Sequence, residues 1–319
     1  MSLFHSHPQR RQQSRRKFFF LGLFASTAKS VAQAPQPERP PAQVAEASSP
    51  KAAAANPVRR KIFDAHLHCP SENGEVWQWH KVTRTFEEFA AYLDRTGVQR
   101  GIINSVRCQL AKSPREFIAG NREVARYVER YKGRFLGACV VNPMFIDEAL
   151  REMEDCRKQF GMGWVGELCN YTVPYEYTIK EFEMLVDQAV RLNMVLDVHT
   201  DLEEMEYIIR KFPRATIVFP HFGDDREYQH IFSRIQLVAA QPNCYLDTSG
   251  YGHDRVGMLE YAVEKIGPDR VLFGSDFSIN DPGTVIASIE YSFLSEEQKE
   301  KVLSRNLEAL LAKVGLKGV

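Results

Sequence analysis

The sequence has few cysteines and no net charge, and both absences narrow its function. Six cysteines are spread over 319 residues. None of them forms a CxxC pair, so the chain is neither a disulfide scaffold nor a zinc finger. The 41 Lys and Arg residues balance 41 Asp and Glu residues, which leaves no general field to attract nucleic acid or acidic lipid. We therefore expect no nucleic-acid partner.

Long apolar runs are also missing after residue 60, since no stretch there approaches the roughly 20 residues that span a bilayer. The chain is nonetheless 44% hydrophobic and 26% charged, and a chain of this length can bury a substantial core. The composition therefore predicts one large folded domain or two small ones.

A short basic and then apolar segment lies near the N-terminus. Residues 14–19 read SRRKFF and lead into the stretch FFFLGLFASTA at residues 18–28. This order resembles a twin-arginine export signal. We predict a signal over residues 1–34 that the twin-arginine export machinery recognises, and hence a periplasmic or secreted protein. A basic N-terminus beside an apolar patch is the alternative.

The next segment, residues 35–58, is rich in Ala and Pro and poor in aromatic residues. Such a composition buries too little apolar surface to fold, so we predict a disordered linker. The remaining residues, 59–319, are predicted to form a single domain.

From residue 61 on, short β-branched or apolar runs alternate with longer stretches of helical spacing. Eight runs are candidate strands: 62–68, 101–106, 135–142, 163–170, 195–200, 216–222, 244–250 and 271–277. Eight strand–helix units predict a (β/α)8 TIM barrel of the α/β class. An open doubly wound sheet is the alternative, but its glycine-rich first turn is missing here. A last helix over residues 296–313 is expected to pack on the outside.

Polar side chains lie near the C-terminal ends of five predicted strands. They are His66 and His68 on the first strand, Glu167 on the fourth, His199 on the fifth, His221 on the sixth and Asp276 on the eighth. Barrel enzymes keep their chemistry at this end. Residues i and i+2 of a strand share a face, so His66 and His68 point to the same side. Together these side chains predict a metal site.

Four motifs together resemble the amidohydrolase superfamily. They are DAHLH at residues 64–68, DVHT at 197–200, VFPHFG at 218–223 and LFGSDFS at 272–278. The resemblance is to the "amidohydrolase 2" group, which includes aminocarboxymuconate-semialdehyde decarboxylase-like enzymes, and it runs from residue 61 to residue 315. The order HxH, H, H and SD is specific, whereas any one motif alone would be weak.

The resemblance implies a ligand set of three histidines and one carboxylate. His66, His68, His199 and Asp276 would hold a divalent metal ion, and His221 would lie beside it. Such a donor set suits zinc, with manganese or iron as lesser options.

Glu167 and Asp64 are each open to two interpretations. Some amidohydrolases place a carboxylated Lys or a Glu at the end of the fourth strand, where it bridges two metal ions. An inward-facing Glu167 would thus indicate two ions, with His199 and His221 on the second, whereas an outward-facing one would be an ordinary carboxylate. Asp64 either orients a ligand imidazole or caps backbone donors below the site.

The expected activity is metal-dependent hydrolysis of a small carbonyl compound at an amide, lactone or ester bond. The metal would lower the pKa of its water toward about 7. Asp276 would carry the water proton to the leaving group, and His221 would stabilise the developing charge. A decarboxylase or hydratase on the same metal site is the first alternative, and a non-catalytic exported binding protein is the second.

Loop residues near the strand ends are candidates for the substrate pocket. Arg107 follows the second strand and would bind a substrate carboxylate through paired hydrogen bonds, unless it forms a surface ion pair. The loop after the first strand carries Trp77, Trp79 and His80, which would form a lid, an aromatic wall or only the packing of the loop. A homodimer is a candidate assembly.

Overall fold

The structure, a computed structural model, describes residues 60–77 and 81–316. The predicted signal and linker at residues 1–58, and the loop residues Trp79 and His80, lie outside the described residues. Within the described ranges, no helix combines the length and the apolar character needed to cross a bilayer.

Strands and helices alternate along the described chain. The strands are β1 (Phe63–Cys69), β2 (Arg100–Ser105), β3 (Phe135–Cys139), β4 (Trp164–Leu168), β5 (Val195–Val198), β6 (Ile217–Phe219), β7 (Cys244–Asp247) and β8 (Val271–Leu272). The helices are α1 (Phe86–Thr96), α2 (Val106–Gln109), α3 (Pro114–Arg130), α4 (Ile146–Phe160), α5 (Lys180–Arg191), α6 (Leu202–Lys211), α7 (Tyr228–Ala239), α8 (Met258–Ile266), α9 (Pro282–Glu290), α10 (Glu296–Glu300) and α11 (Asn306–Lys313). A 3₁₀ turn at Pro143–Phe145 precedes α4, and a π-helical turn at Lys301–Arg305 joins α10 to α11.

The strands form one parallel sheet in the order β1 to β8. Backbone hydrogen bonds then join its two edges. The Ala65 N–H donates to the Phe273 carbonyl at 2.9 Å, and the Asp276 N–H donates to the His66 carbonyl at 3.0 Å. The predicted (β/α)8 barrel is confirmed.

Local capping chemistry sets where several helices begin. In α1 the Thr85 side chain accepts from the Glu88 N–H, and the Glu88 carboxylate accepts in return from the Thr85 N–H. Asp201 and Glu204 form the same reciprocal pair at the start of α6. Because these signals depend on residues close together in the chain, the alternation of elements can be predicted from the sequence.

Every strand contributes to a hydrophobic cluster inside the barrel. Its strand residues are Phe63, Ala65, Ile102, Ala138, Trp164, Val195, Val218, Tyr245 and Leu272. Leu307, Leu310, Leu311 and Val314, on or just after α11, complete the cluster. Several of the strand residues are the first of their strands, so α11 covers the N-terminal end of the barrel. The C-terminal end is left to the polar side chains.

The predicted last helix is interrupted by the π-helical turn. The Val302 carbonyl in that turn accepts from the Phe273 N–H at 2.8 Å. The Asn306 side chain donates to the carbonyls of Pro268 and Val271, both at 2.8 Å. A π-helical turn frees a backbone carbonyl from the regular helical pattern. The interruption therefore follows from the contact between the last helix and β8.

Every strand except β1 ends earlier than the sequence predicts, β6 at Phe219 and β8 at Leu272 among them. For two of them the reason is the backbone that follows. His221 has φ 69° and Asp276 has φ 58°, and an extended strand cannot contain a left-handed residue. The regular strand thus ends before each of these two side chains, although the Asp276 N–H still bonds to the His66 carbonyl on β1.

We expect Leu307→Ala to lower the free energy of unfolding by about 2–5 kcal/mol, because it opens a cavity in the barrel interior. The Leu307 side chain is 0% exposed, whereas the Leu110 side chain is 43% exposed. Leu110→Ala is therefore a matched control, and it should change the free energy of unfolding by no more than about 0.5 kcal/mol. Urea unfolding followed by circular dichroism measures both. An equally small effect of the two substitutions would show that α11 does not close the barrel.

Candidate metal centre

Four imidazoles and two carboxylates meet at the C-terminal end of the barrel. His66 and His68 lie on β1, Glu167 lies on β4, and His199, His221 and Asp276 follow β5, β6 and β8. His199 is partly exposed, and the other five residues are buried. The structure thus brings together all six residues that the sequence places at this end.

The first donor set consists of His66 Nε2, His68 Nε2 and Asp276 Oδ1. The two Nε2 atoms are 3.0 Å apart. Asp276 Oδ1 lies 3.0 Å from His68 Nε2 and 3.7 Å from His66 Nε2. Because His66 and His68 are two residues apart on one strand, both rings reach the same point.

The second donor set consists of His199 Nδ1 and His221 Nε2, which are 3.2 Å apart. The two rings meet edge to face, with their centroids 4.8 Å apart. Two imidazole nitrogens from neighbouring strands therefore converge beside the first donor set.

The Glu167 carboxylate lies between the two donor sets. Its Oε2 atom is 3.6 Å from His66 Nε2 and 3.5 Å from His68 Nε2. Its Oε1 atom is 2.9 Å from His199 Nδ1 and 3.6 Å from His221 Nε2. Of the two interpretations that the sequence leaves open, the structure shows the inward-facing carboxylate.

Burial and charge act against each other in this cluster. Burial alone would raise the pKa of Glu167, but the charge of His66 and the contacts with His199 and His221 hold it well below its usual value. Burial would likewise lower the pKa of His66, but Glu167 and Asp247 raise it well above its ordinary value. Glu167 is thus ionised at neutral pH although it is only 3% exposed.

A polar partner holds the outward-facing nitrogen of every imidazole in the two donor sets. The contacts are His66 Nδ1 to Asp247 Oδ2 at 3.0 Å, His68 Nδ1 to Asn104 Oδ1 at 2.8 Å, His199 Nε2 to Asp224 Oδ1 at 3.5 Å and His221 Nδ1 to Ser249 Oγ at 2.8 Å. Metal-binding histidines are oriented in this way, because an acceptor on one ring nitrogen keeps the lone pair of the other free.

The chemistry of these donors fits a divalent metal ion. Imidazole nitrogens and carboxylate oxygens are the ligands of zinc, and imidazole with carboxylate also suits manganese or iron. The ligand atoms of His66, His68 and Asp276 all lie within 4.8 Å of one another. The first donor set, the second donor set and Glu167 are therefore the residues that would hold metal.

The backbone is unusual at two of these residues. His221 and Asp276 have left-handed backbone conformations. Among the other described non-glycine residues, only Asn193 has one. Left-handed conformations of such residues cluster at functional sites. Gly250 has φ 70°, and a Cβ atom there would lie 2.5 Å from the His221 Cβ, so only glycine lets the loop after β7 approach His221.

A buried arginine supports the loops that carry the second donor set. The guanidinium of Arg234, on α7, donates to the carbonyls of Thr200 at 2.6 Å, Pro220 at 2.7 Å and His221 at 3.2 Å. These carbonyls lie next to or within the residues that follow β5 and β6. One side chain therefore satisfies buried backbone acceptors of both loops.

Asp64 caps backbone donors, which is one of the two roles that the sequence leaves open. Its Oδ1 accepts from the N–H groups of His66 at 2.9 Å and Ser275 at 3.0 Å. The carboxylate that hydrogen-bonds to His66 Nδ1 is Asp247 instead. Asp64 thus ties β1 to the segment that precedes Asp276.

Arg107 forms an ion pair, which is the alternative role that the sequence leaves open for it. Its Nη1 lies 2.5 Å from Glu123 Oε1, and the Glu123 side chain is buried on α3. Glu123 also accepts from the Ser105 hydroxyl and from the Glu72 N–H. Glu123, on α3, therefore holds both α2 and the loop after β1, and the Arg107 guanidinium is engaged in the first of these contacts.

Aromatic rings and a small cavity lie beside the centre. The Trp77 ring stacks at 6.3 Å from the His68 ring, and the half-exposed Tyr171 ring lies edge-on at 4.9 Å from His199. A cavity of about 210 Å³ opens next to His199 and His221. Trp77 thus lies where an aromatic wall was predicted.

Sequence reasoning did not single out Asp247, Asn104, Ser249 or Asp224. Asp247 is the last residue of β7 and Asn104 lies near the end of β2. Each is a polar residue at the C-terminal end of a buried strand, the same signal that identified the histidines. Applying that signal to every strand would have found Asp247 and Asn104.

A closed parallel barrel with histidines and carboxylates at its C-terminal end defines a barrel enzyme of the metal-dependent type. Residues 63–312 match the sequence model of the amidohydrolase family, and the chain belongs to that family.

Solved structures with the same fold include several decarboxylases. One is 2,6-dihydroxybenzoate decarboxylase from Rhizobium, with 16% sequence identity and a TM-score of 0.61, covering 81% of this chain and 100% of that one. Another is dihydroxybenzoic acid decarboxylase from Polaromonas sp. JS666 with bound manganese and 2-nitroresorcinol, with 17% identity and a TM-score of 0.64, covering 82% of this chain and 98% of that one. A third is 5-carboxyvanillate decarboxylase from Sphingomonas paucimobilis, with 15% identity and a TM-score of 0.61, covering 79% of this chain and 99% of that one. At these identities the likeness shows the shared fold.

We expect His66→Ala and His199→Ala each to remove about one bound divalent ion per chain, because each deletes a donor nitrogen from one donor set. Activity should fall with the metal. His230→Ala is a matched control, since the His230 imidazole is half exposed and contacts Asp225 outside the centre. Elemental analysis of the purified proteins gives the stoichiometry. Full metal content and near-normal turnover in either variant would refute the assignment of that histidine.

Proposed function

We propose that this protein is a hydrolase that uses two divalent ions, zinc foremost, to cleave an ester, lactone or amide bond of a small carbonyl compound. The observation that carries the proposal is the position of Glu167, whose two oxygens contact two separate donor sets. Two-metal centres with a shared ligand are typical of hydrolytic enzymes.

In this proposal each donor set would hold one ion, and Glu167 would be a ligand within reach of both. When bound, such ions polarise a carbonyl oxygen and lower the pKa of water to about 7. The chain's own residues fix the geometry around them, since each imidazole in the two sets is oriented from outside. Glu167 also balances positive charge in a place that is closed to solvent.

Asp276 is the proposed proton carrier. Its Oδ1 faces the first donor set, at 3.0 Å from His68 Nε2, and its Oδ2 accepts from the Asn280 side chain at 3.1 Å. Asn280 is exposed and lines the neighbouring cavity, so Oδ2 lies on the side from which a substrate would enter. A carboxylate placed in this way takes a proton from the attacking water and returns it to the leaving group.

The walls of the cavity support a neutral substrate. The lining residues beside the centre are His199, His221, Gly223, Asp224, Gly250, Tyr251, Asp276, Ile279 and Asn280. No Lys or Arg is among these described lining residues, and Arg107 is paired with Glu123. An ester, lactone or amide needs no cation to balance its charge, whereas a carboxylate substrate gains from one.

Decarboxylation of a small aromatic acid is the second candidate function. It is favoured by the similar solved structures, which include dihydroxybenzoate and carboxyvanillate decarboxylases, one of them with bound manganese. In this case the same donors would hold manganese, and the carbon that loses CO2 would have to be protonated.

One experiment separates the two candidates. Full chain loaded with zinc or with manganese is incubated with a panel of aryl esters, lactones and amides and with a panel of hydroxybenzoates. Hydrolytic turnover without release of CO2 is expected. Release of CO2 from hydroxybenzoates, without hydrolysis of the first panel, would contradict the hydrolase and support the decarboxylase.

We expect Asp276→Asn to retain most of its metal but to lose at least about a hundredfold in turnover, because an amide keeps one oxygen for the ion and cannot accept a proton at neutral pH. The Michaelis constant should change much less. Asp269→Asn is the matched control, since Asp269 is exposed and pairs with Lys301, and neither residue belongs to the metal centre. Metal retained with turnover within a few-fold of wild type would exclude Asp276 as the proton carrier.

A further inference from the structure

One carboxylate connects the two donor sets through hydrogen bonds. Asp247, at the end of β7, is 1% exposed. Its Oδ2 lies 3.0 Å from His66 Nδ1. Its Oδ1 accepts from the backbone N–H groups of Ser249 at 2.9 Å and His221 at 3.0 Å, and contacts the Ser249 hydroxyl. His66 belongs to the first donor set and His221 to the second.

Asp247 is an acceptor at both oxygens. Its Oδ1 receives two backbone N–H groups, which can only donate, and an ionised carboxylate is the form that such donors favour. An ionised carboxylate has no proton to donate. Asp247 must therefore accept a proton from His66 at Oδ2 and from the Ser249 hydroxyl at Oδ1.

These directions fix the protons on the two histidines. The Ser249 hydroxyl has one proton, and it is committed to Asp247 Oδ1. Ser249 Oγ can then only accept from His221 Nδ1, which lies 2.8 Å away. His221 consequently carries its proton on Nδ1 and has a lone pair on Nε2. By the same argument His66 donates from Nδ1 to Asp247 Oδ2, which leaves Nε2 as the nitrogen that would bind a metal ion.

We infer that Asp247 and Ser249 are positioning residues that set the tautomers of His66 and His221, one imidazole in each donor set. His221 is thereby a lone-pair donor aimed at the second donor set, rather than a proton donor beside the first. The inference rests on the proposed two-ion centre, but the proton directions follow from the hydrogen bonds alone.

The direct test is long-range ¹H–¹⁵N correlation of the histidine side chains in the zinc-loaded full chain. We expect Nδ1 protonated and Nε2 bound to zinc for both His66 and His221. Zinc on Nδ1, or a proton on Nε2, in either ring would overturn the inference. This measurement needs no variant and therefore does not depend on how a substitution affects folding.

A second test removes only the Ser249 hydroxyl. In Ser249→Ala, His221 loses the acceptor for its Nδ1 proton, so zinc affinity of the second donor set should fall by about 10–100-fold, as is usual when the outer partner of a ligand is removed. The first donor set should keep its affinity, because the contact between Asp247 and His66 remains. Ser288→Ala is the matched control, since the Ser288 hydroxyl, on α9, contacts His253 outside the centre.

Competitive zinc titration of the two variants gives the affinity of each site. Wild-type affinity at both sites in Ser249→Ala would contradict the inference. Neither test uses turnover, so a failure of the hydrolase proposal would be seen separately, as a chain with the expected tautomers that hydrolyses no ester, lactone or amide.

Discussion

The rest of the site depends on how the buried charge of Glu167 is balanced. A carboxylate this far from solvent is costly unless it is paired, and here its two oxygens contact imidazoles from β1 and from the loops after β5 and β6. Those imidazoles must in turn be held in place, which Asp247, Asn104, Ser249 and Asp224 do from outside. The need to balance the charge of Glu167 thus accounts for the polar contacts around all four imidazoles.

The barrel separates stability from chemistry along its axis. At the N-terminal end, α11 packs its leucines against the interior cluster to which every strand contributes. At the C-terminal end, the regular strands end before left-handed His221 and Asp276, and polar side chains line a cavity. Substitutions at the first end should therefore act on folding, and substitutions at the second on metal binding and turnover.

The fold could be predicted from the sequence because its signals are local: alternating apolar runs, capping residues and turns. The six central residues could be placed at one end because polar residues at the ends of buried strands are conspicuous. The direction in which each side chain points could not be predicted from the sequence. Whether Glu167 faces inward depends on the backbone at Gly166, where a Cβ atom would lie 2.2 Å from the Asp197 carbonyl oxygen. The engagement of Arg107 depends on Glu123, sixteen residues away on another helix.

The most direct test of the account is a crystal structure of the zinc-loaded full chain with anomalous diffraction recorded above the zinc edge. The account predicts two anomalous peaks roughly 3.5–4 Å apart, one within the first donor set and one within the second, with the Glu167 carboxylate between them. A single peak held by His66, His68 and Asp276, with Glu167 turned away from it, would contradict the account.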